Sequence, residues 1–119
     1  MAKILVVDDE EFFRMILEDM LVRGGHRVFK AENGRQALAL AERENPDVVL
    51  LDYILVDETG LDVLVKLQAG YPTIPVIIVT ADGHVEPAVK LMKAGARDYV
   101  IKPFEKEVIL RKVAAVIGR

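Results

Sequence analysis

Residues 3–11, KILVVDDEE, decide the fold, because five largely apolar residues are followed at once by four carboxylic acids. A short run rich in Val and Ile, without polar alternation, is typical of a parallel strand that is buried on both faces. Similar runs recur four times along the chain, and the second of the five is the most polar, which favours an edge position. The predicted strands are residues 3–7, 27–31, 47–51, 76–79 and 99–101.

Helical patterns separate these runs, since apolar residues recur there every three or four positions. Asn33 with Gln36, and Thr59 with Asp62, offer N-terminal capping patterns for the second and third helices. Gly24-Gly25 would end the first helix. The alternation predicts an α/β protein of five strand–helix units, (βα)5, with a parallel sheet and a single domain over residues 1–119.

Composition narrows the classes of function. The 119 residues include no cysteine and 2 histidines, which excludes disulfides and thiolate metal sites and disfavours a histidine zinc site. The chain has no run of about 18 apolar residues for a membrane span, and its acidic start does not match a secretory signal, so we expect a cytoplasmic protein. A net charge of −3 disfavours direct nucleic-acid binding.

Four of the predicted strands are followed by, or end in, polar side chains: Asp8 and Asp9, Asp52, Thr80 and Lys102. Right-handed crossovers place the carboxyl ends of parallel strands at one edge of the sheet. If the first and third strands are neighbours, the three carboxylates converge there, and Mg²⁺ would relieve their repulsion. A carboxylate at this edge can attack phosphorus and become an acyl phosphate, with a hydroxyl and an ammonium group holding the phosphoryl oxygens.

Four motifs, in this order, resemble the receiver domain of two-component response regulators. They are ILVVDDE (4–10), LLD (50–52), VTA (79–81) and AGARDYVIKPF (94–104). The resemblance covers essentially the whole chain and implies the flavodoxin-like fold, a three-layer sandwich with strand order 2-1-3-4-5. It also implies Mg²⁺ as the cofactor, held by Asp8, Asp9, Asp52 and the backbone carbonyl of Ile54.

The resemblance implies a phosphorylation-driven signalling switch. Asp52 would accept a phosphoryl group from a histidine kinase or a phosphotransfer protein, and Lys102 would contact the phosphate. The peptide bond between Lys102 and Pro103 would be cis. Catalysis would be limited to the domain's own phosphorylation and dephosphorylation, without turnover of an outside substrate.

The resemblance also implies residues that set the lifetime of the phosphorylated state and residues through which a partner recognises that state. Thr80 would be the switch hydroxyl and Tyr99 the aromatic switch residue. Ile54 and Asp82, two positions after Asp52 and Thr80 respectively, would modulate hydrolysis. We expect the active form to bind a downstream protein, or a second copy of itself, through residues 84–117, with no membrane partner.

The stretch after Asp52 departs from the family pattern. Many receivers have Met-Pro-x-Met-Asp-Gly there, whereas this chain reads LVDETG at residues 55–60, with Val56 at the proline position. The sequence therefore predicts a less rigid loop, because proline restricts the backbone.

Two other functions remain open from the residues alone. A small Mg²⁺-dependent phosphatase with an aspartyl-phosphate intermediate would carry Asp-x-Asp after the first strand, where this chain has Asp8-Asp9-Glu10. A phosphorylation-independent binding module would not need the full set of acidic and basic residues. The sequence also leaves open whether the chain is a stand-alone receiver or a piece of a larger regulator.

Overall fold

Five strands and five helices alternate in the computed structural model, which describes residues 1–55, 57–81 and 85–117, with the backbone alone at residues 85 and 86. The strands are β1 (Lys3–Val7), β2 (Arg27–Ala31), β3 (Val48–Leu51), β4 (Val76–Thr80) and β5 (Asp98–Ile101). The helices are α1 (Glu11–Arg23), α2 (Gly34–Glu44), α3 (Gly60–Gly70), α4 (Val85–Lys93) and α5 (Lys106–Ile117). None of the described helices combines the length and apolar content that a membrane span needs.

The strands form one parallel sheet in the order β2-β1-β3-β4-β5, which confirms the predicted fold class and the edge position of β2. The third strand begins at Val48, one residue later than predicted. Asp47 instead accepts a hydrogen bond from the Lys3 N–H through its side chain (2.8 Å) and donates its own N–H to the Lys3 carbonyl (2.7 Å).

Apolar side chains cover both faces of the sheet, which explains why the strand sequences are continuously apolar. On one face Leu5, Val7 and the alternate residues of β3 and β4 pack against α2, α3 and α4. On the other face Ile4, Val6 and their counterparts pack against α1 and α5. Fully burying one such side chain contributes roughly 1.5–3 kcal/mol, so the two clusters make the sheet a rigid support for residues at its edges.

The register of the sheet sets which residues emerge together at its carboxyl edge. Val7 of β1 pairs with Leu51 of β3, so the residues that follow them, Asp8 and Asp52, leave the sheet side by side. Thr80 of β4 pairs with Ile101 of β5. Polar residues from four strands are therefore brought to one edge by backbone pairing alone.

The second and third helices begin as their sequences predict. The Asn33 side chain accepts a hydrogen bond from the Gln36 N–H (2.9 Å), and the Thr59 hydroxyl accepts one from the Asp62 N–H (3.2 Å). The Gln36 side chain accepts from the Glu32 N–H (2.8 Å), one residue before its usual position in a capping box.

The N-terminus of α2 also receives a carboxylate from a distant part of the chain. Asp57, which lies between β3 and α3, accepts hydrogen bonds from the N–H groups of Gly34 (2.9 Å) and Arg35 (3.2 Å). The Gly34 hydrogen bond, with a smaller contribution from Arg35, lowers the pKa of Asp57 below its ordinary value. A negative charge here is also favoured by the positive end of the helix dipole.

We predict that the contribution of Asp57 to stability depends on pH. Because its folded pKa is lowered, this contribution is present above the unfolded value of 3.8 and is lost as the pH falls through the folded pKa. Asp57→Asn should lower the free energy of unfolding by roughly 0.3–1 kcal/mol near neutral pH, because the amide keeps an acceptor oxygen but loses the charge that the helix N-terminus favours. The difference from the wild type should shrink below pH 3.8. Urea unfolding across this pH range, with NMR titration of the carboxyl group, measures both.

The matched control for this prediction is Asp19→Asn, because among the described residues Asp19 forms an exposed ion pair with Arg23 and caps no helix. Its effect should be no more than a few tenths of a kcal/mol. A titration midpoint for Asp57 at or above 3.8 would contradict the prediction.

Candidate functional site

A cleft of about 220 Å³ opens at the carboxyl edge of the sheet. Its lining residues are Asp9, Glu10, Asp52, Ile54, Thr80 and Ala81. The side chains of Asp52 and Thr80 are buried at the base, whereas Glu10 and Ile54 are exposed. The cleft thus combines a buried polar base with an entrance that solvent reaches.

One buried ammonium group connects the acidic residues of this edge. Lys102 Nζ lies 2.5 Å from Asp8 Oδ2, 3.1 Å from Asp52 Oδ2 and 3.5 Å from Glu10 Oε1. The side chain of Lys102 is only 2% exposed. Burial lowers the pKa of Lys102, but its hydrogen bond to Asp8 and the charges of Asp52 and Asp8 outweigh burial and raise it. The ammonium group therefore stays protonated.

The pKa of the Asp8 carboxyl group lies above its ordinary value. Burial raises the pKa of Asp8, and the negative charge of Asp52 adds to the rise. The hydrogen bonds from Lys102 and from the Glu10 N–H (2.9 Å) act in the opposite direction and offset this only in part. Three carboxylates thus share one ammonium group, and the site carries an excess of negative charge.

The carboxylate oxygens of Asp8, Glu10 and Asp52 lie within 4.8 Å of one another. Two oxygens on opposite sides of one Mg²⁺ are about 4.2 Å apart, because each is about 2.1 Å from the ion. A small side-chain movement would therefore let this cluster hold the ion. Hard oxygen donors and an uncompensated negative charge both fit Mg²⁺, and Asp9 lines the cleft beside the cluster.

Glu10 is a member of this cluster that the sequence analysis did not assign to the site. The signal for it was its place in the acidic run directly after Asp8 and Asp9. Glu10 also occupies the N-cap position directly before α1, and it forms no side-chain cap hydrogen bond to the helix. Its carboxylate is therefore available to the cleft.

Phe13 is a second residue that sequence reasoning did not place at the site. The Lys102 ammonium lies 4.2 Å from the centre of the Phe13 ring, and the ring is in edge contact with Phe12. An ammonium over an aromatic face is stabilised by the negative potential of the ring. Phe13, Ile16, Leu17 and Met20 have the helical spacing of one apolar face, which indicates packing in the core. Nothing in the sequence indicates that residue 102 lies over the Phe13 ring.

The two predicted switch residues lie on neighbouring strands. Tyr99 of β5 pairs with Ile78 of β4, two residues before Thr80, so Tyr99 and Thr80 share one face of the sheet. Thr80 is fully buried and Tyr99 is half-buried against the cluster that covers this face. The Lys102–Pro103 peptide bond is cis, and Asp82 lies outside the described residues.

The backbone of Ile54 contacts the side chain of Asp52. The Ile54 N–H donates to Asp52 Oδ1 at 3.3 Å. Ile54 is 58% exposed, and it is one of the residues that line the cleft. The position of Ile54 is therefore set by its backbone contacts more than by burial of its side chain.

Comparison with known proteins gives consistent matches. A family model described as the response regulator receiver domain matches residues 4–114. PilH of Pseudomonas aeruginosa is 42% identical over 120 residues, which cover 99% of this chain and 99% of PilH. The alkaline phosphatase synthesis transcriptional regulatory protein PhoP of Bacillus subtilis is 37% identical over 117 residues, covering 98% of this chain and 49% of PhoP, so the chain spans about half of that relative.

Solved structures agree with the sequence matches. A response regulator receiver domain protein (CheY-like) from Methanospirillum hungatei JF-1 superposes with a TM-score of 0.94 at 29% identity. The superposition covers 99% of this chain and 94% of that chain. The BeF3-activated receiver domain of DrrB superposes with a TM-score of 0.90 at 33% identity, and it covers 100% of this chain and 99% of that one.

We predict that Lys102→Met destabilises the fold because it leaves Asp8 and Asp52 buried without their shared cation. In the presence of EDTA the free energy of unfolding should fall by about 3 kcal/mol, as for other buried ion pairs that lose one partner. Added Mg²⁺ should restore much of the loss, because a divalent cation replaces the missing charge. Urea unfolding in EDTA and in Mg²⁺ measures both effects.

The control variant is Lys112→Met. Lys112 Nζ pairs with Asp98 at 2.9 Å, but both side chains are about one-third exposed. Its loss should cost no more than about 1 kcal/mol and should not respond to Mg²⁺. Equal destabilisation by the two variants would show that the buried cluster does not depend on Lys102.

Proposed function

Because the chain belongs to the response regulator receiver domain family, whose members are phosphorylation-activated switches of two-component signalling, we propose that Asp52 is its phosphorylated residue. The observation that carries the proposal is that Asp52 and Thr80 line one cleft and that Asp52 contacts the buried ammonium group of Lys102. Asp52 is buried at the base of the cleft, and its Oδ2 lies 3.1 Å from an ammonium group. A carboxylate that lines a cleft next to a cation suits attack on a phosphoryl group that enters the cleft.

The reaction transfers the phosphoryl group from a phosphohistidine of a partner protein. An Asp52 carboxylate oxygen attacks phosphorus, the bond from phosphorus to the histidine nitrogen breaks, and the imidazole leaves with its electron pair. Lys102 turns its ammonium towards a phosphoryl oxygen, and the Thr80 hydroxyl donates a hydrogen bond to another. Receiver domains interact with histidine kinases or phosphotransfer proteins, and such a protein is the donor that we propose for this chain.

Receiver domains bind Mg²⁺ at an acidic pocket. In this chain we assign the metal to Asp8, Asp9, Asp52 and the backbone carbonyl of Ile54, with the Glu10 carboxylate adjacent. When bound, Mg²⁺ neutralises charge on the phosphoryl group and on the carboxylates. The excess of acidic groups around Lys102 supports this assignment.

The phosphoryl group is removed by water within the same site, so the domain turns over no outside substrate. We propose that Ile54 slows this step, because its exposed apolar side chain at the cleft offers no hydrogen bond to orient the water. Asp82 is the second proposed modulator. The phosphatase alternative gains no support from the site, because Asp8 is buried beside Lys102 and, unlike Asp52, is not among the described residues that line the cleft.

The signal would be read on the face formed by α4, β5 and α5, within residues 84–117. Movement of the Thr80 hydroxyl towards the phosphoryl group would vacate space into which the Tyr99 ring turns, since both lie on one face of the sheet. Val89, Met92 and Ile101 are more than 40% exposed on this part of the molecule. Exposed apolar residues among charged ones suit contact with a downstream protein or with a second copy of the chain.

Asp52→Asn is expected to abolish phosphorylation, because the neutral amide lacks the anionic oxygen that attacks phosphorus. The shape of the side chain is retained. The chain is incubated with acetyl phosphate and Mg²⁺, and incorporation is followed by intact mass and by peptide mapping. Asp47→Asn, which changes a carboxylate at the opposite end of β3, should be labelled like the wild type. Substantial labelling of the Asp52→Asn variant would refute the assignment.

Activation by beryllofluoride and Mg²⁺ should change amide NMR shifts in α4, β5 and α5 as well as at the cleft. The expected sites outside the cleft include Tyr99, Ile101, Val89 and Met92, because the switch residues connect the cleft to that face. Light scattering on the same samples measures the molar mass. A doubled mass indicates that the face binds a second copy of the chain, and an unchanged mass indicates that it binds a different protein. Shift changes that leave this face untouched and extend instead over α1 and α2 would contradict the proposed readout.

A further inference from the structure

Residues 53–59, which follow Asp52 and precede α3, are here called the β3–α3 loop. Its two ends are closed against each other, because Ile54 and Thr59 form an antiparallel bridge and the Gly60 N–H donates to the Tyr53 carbonyl at 2.5 Å. Gly60 has no side chain, and a Cβ at this position would collide with the carbonyl oxygen of Asp52. The base of the loop is thus packed directly on the backbone of Asp52.

The far end of the loop is held by two acidic residues that contact different helices. Asp57 accepts the N–H groups of Gly34 and Arg35, the first two free donors of α2. Glu58 pairs with Lys66 of α3 at 2.9 Å, and it lies so close to α2 that a Cβ at Gly34 would be 2.9 Å from its carboxylate. The loop therefore bridges the N-terminus of α2 and the first turns of α3.

These contacts occur where the sequence lacks the rigidity that a proline provides. Val56, which lies outside the described residues, occupies the proline position of the family pattern, so the sequence predicts fewer covalent restrictions on the loop backbone. Ile54, the loop residue at the cleft, is mostly exposed and gains little positional restraint from side-chain packing. Of the described loop side chains, Leu55 is the one that is buried.

We propose that Asp57 is a positioning residue for phosphorylation, which anchors the β3–α3 loop to α2 and thereby fixes the Ile54 backbone beside Asp52. The proposal rests on the proposed role of Asp52. Three contacts connect Asp57 to Asp52. Asp57 holds the far end of the loop on α2, and the Ile54–Thr59 bridge closes the base of the loop. The Ile54 N–H then contacts Asp52 Oδ1. A carboxylate is suited to this role because it accepts two helix N–H groups at once.

The decisive comparison is between Asp57→Ala and Asn33→Ala in the complete 119-residue chain. Asn33 caps the same end of α2 through the Gln36 N–H, but no hydrogen bond joins its side chain to the described part of the loop. Both variants should weaken α2 by similar amounts. They differ in that Asp57→Ala also removes the contact between the loop and α2. All measurements are made under conditions in which unfolding curves show that both variants are folded.

Three readouts separate positioning from stability: the Mg²⁺ dissociation constant by calorimetry, the initial rate of labelling by acetyl phosphate, and ¹⁵N relaxation of residues 53–59. Asp57→Ala should weaken Mg²⁺ binding and slow labelling by about three- to tenfold, since small displacements of reacting groups cost rate steeply. It should also increase fast motion in the loop. Asn33→Ala should leave all three near wild type, and Asp57→Asn, which keeps an acceptor oxygen, should recover most of the loss.

Wild-type Mg²⁺ affinity, labelling rate and loop relaxation in Asp57→Ala, with stability lowered as in Asn33→Ala, would overturn the proposal and leave Asp57 as a helix cap alone. Equal losses of labelling in both variants would overturn it as well. Failure of the proposed function gives a different result, because then the wild-type chain itself would not be labelled at Asp52. The relaxation measurement tests the anchor independently of labelling.

Discussion

The ammonium group of Lys102 lies between two buried carboxylates, Asp8 and Asp52, that would otherwise repel each other. These three residues come from positions 8, 52 and 102, so their meeting requires the register of β1 with β3 and the pairing of β4 with β5. Desolvating charges is costly unless they are paired and hydrogen-bonded. The sheet and the buried ion cluster therefore depend on each other: strand pairing brings the charges together, and Lys102 makes their burial tolerable.

The buried cluster has more carboxylates than ammonium groups, and it can therefore respond to binding of a metal ion. Two carboxylates and one ammonium group, with Glu10 close by, leave negative charge that a metal ion can neutralise. The Phe13 ring covers one side of the ammonium group and supplies attraction without a competing formal charge. Lys102 is thus held in place but can exchange one oxygen partner for another.

The parts of the molecule that were predictable from sequence are those set by local patterns. The strands at residues 3–7 and 27–31 match β1 and β2, and Asn33 and Thr59 cap the helices that their sequences indicate. Topology then brings Asp52, Thr80 and Lys102 to one edge. Contacts between residues far apart in sequence, with no motif to mark them, were not predictable. Phe13 under Lys102, and Asp57 on the first turn of α2, both depend on the finished packing.

The position of β5 at the margin of the sheet has a mechanical consequence. Asp52 follows β3, the central strand, which is hydrogen-bonded to β1 on one side and to β4 on the other. In contrast, β5 is hydrogen-bonded to β4 alone within the sheet. A displacement of β5 strains a single ladder, while a displacement of β3 would strain two. The residue that we propose is phosphorylated therefore follows a strand paired on both sides, whereas the strand at the margin of the sheet can shift at the cost of one ladder of hydrogen bonds.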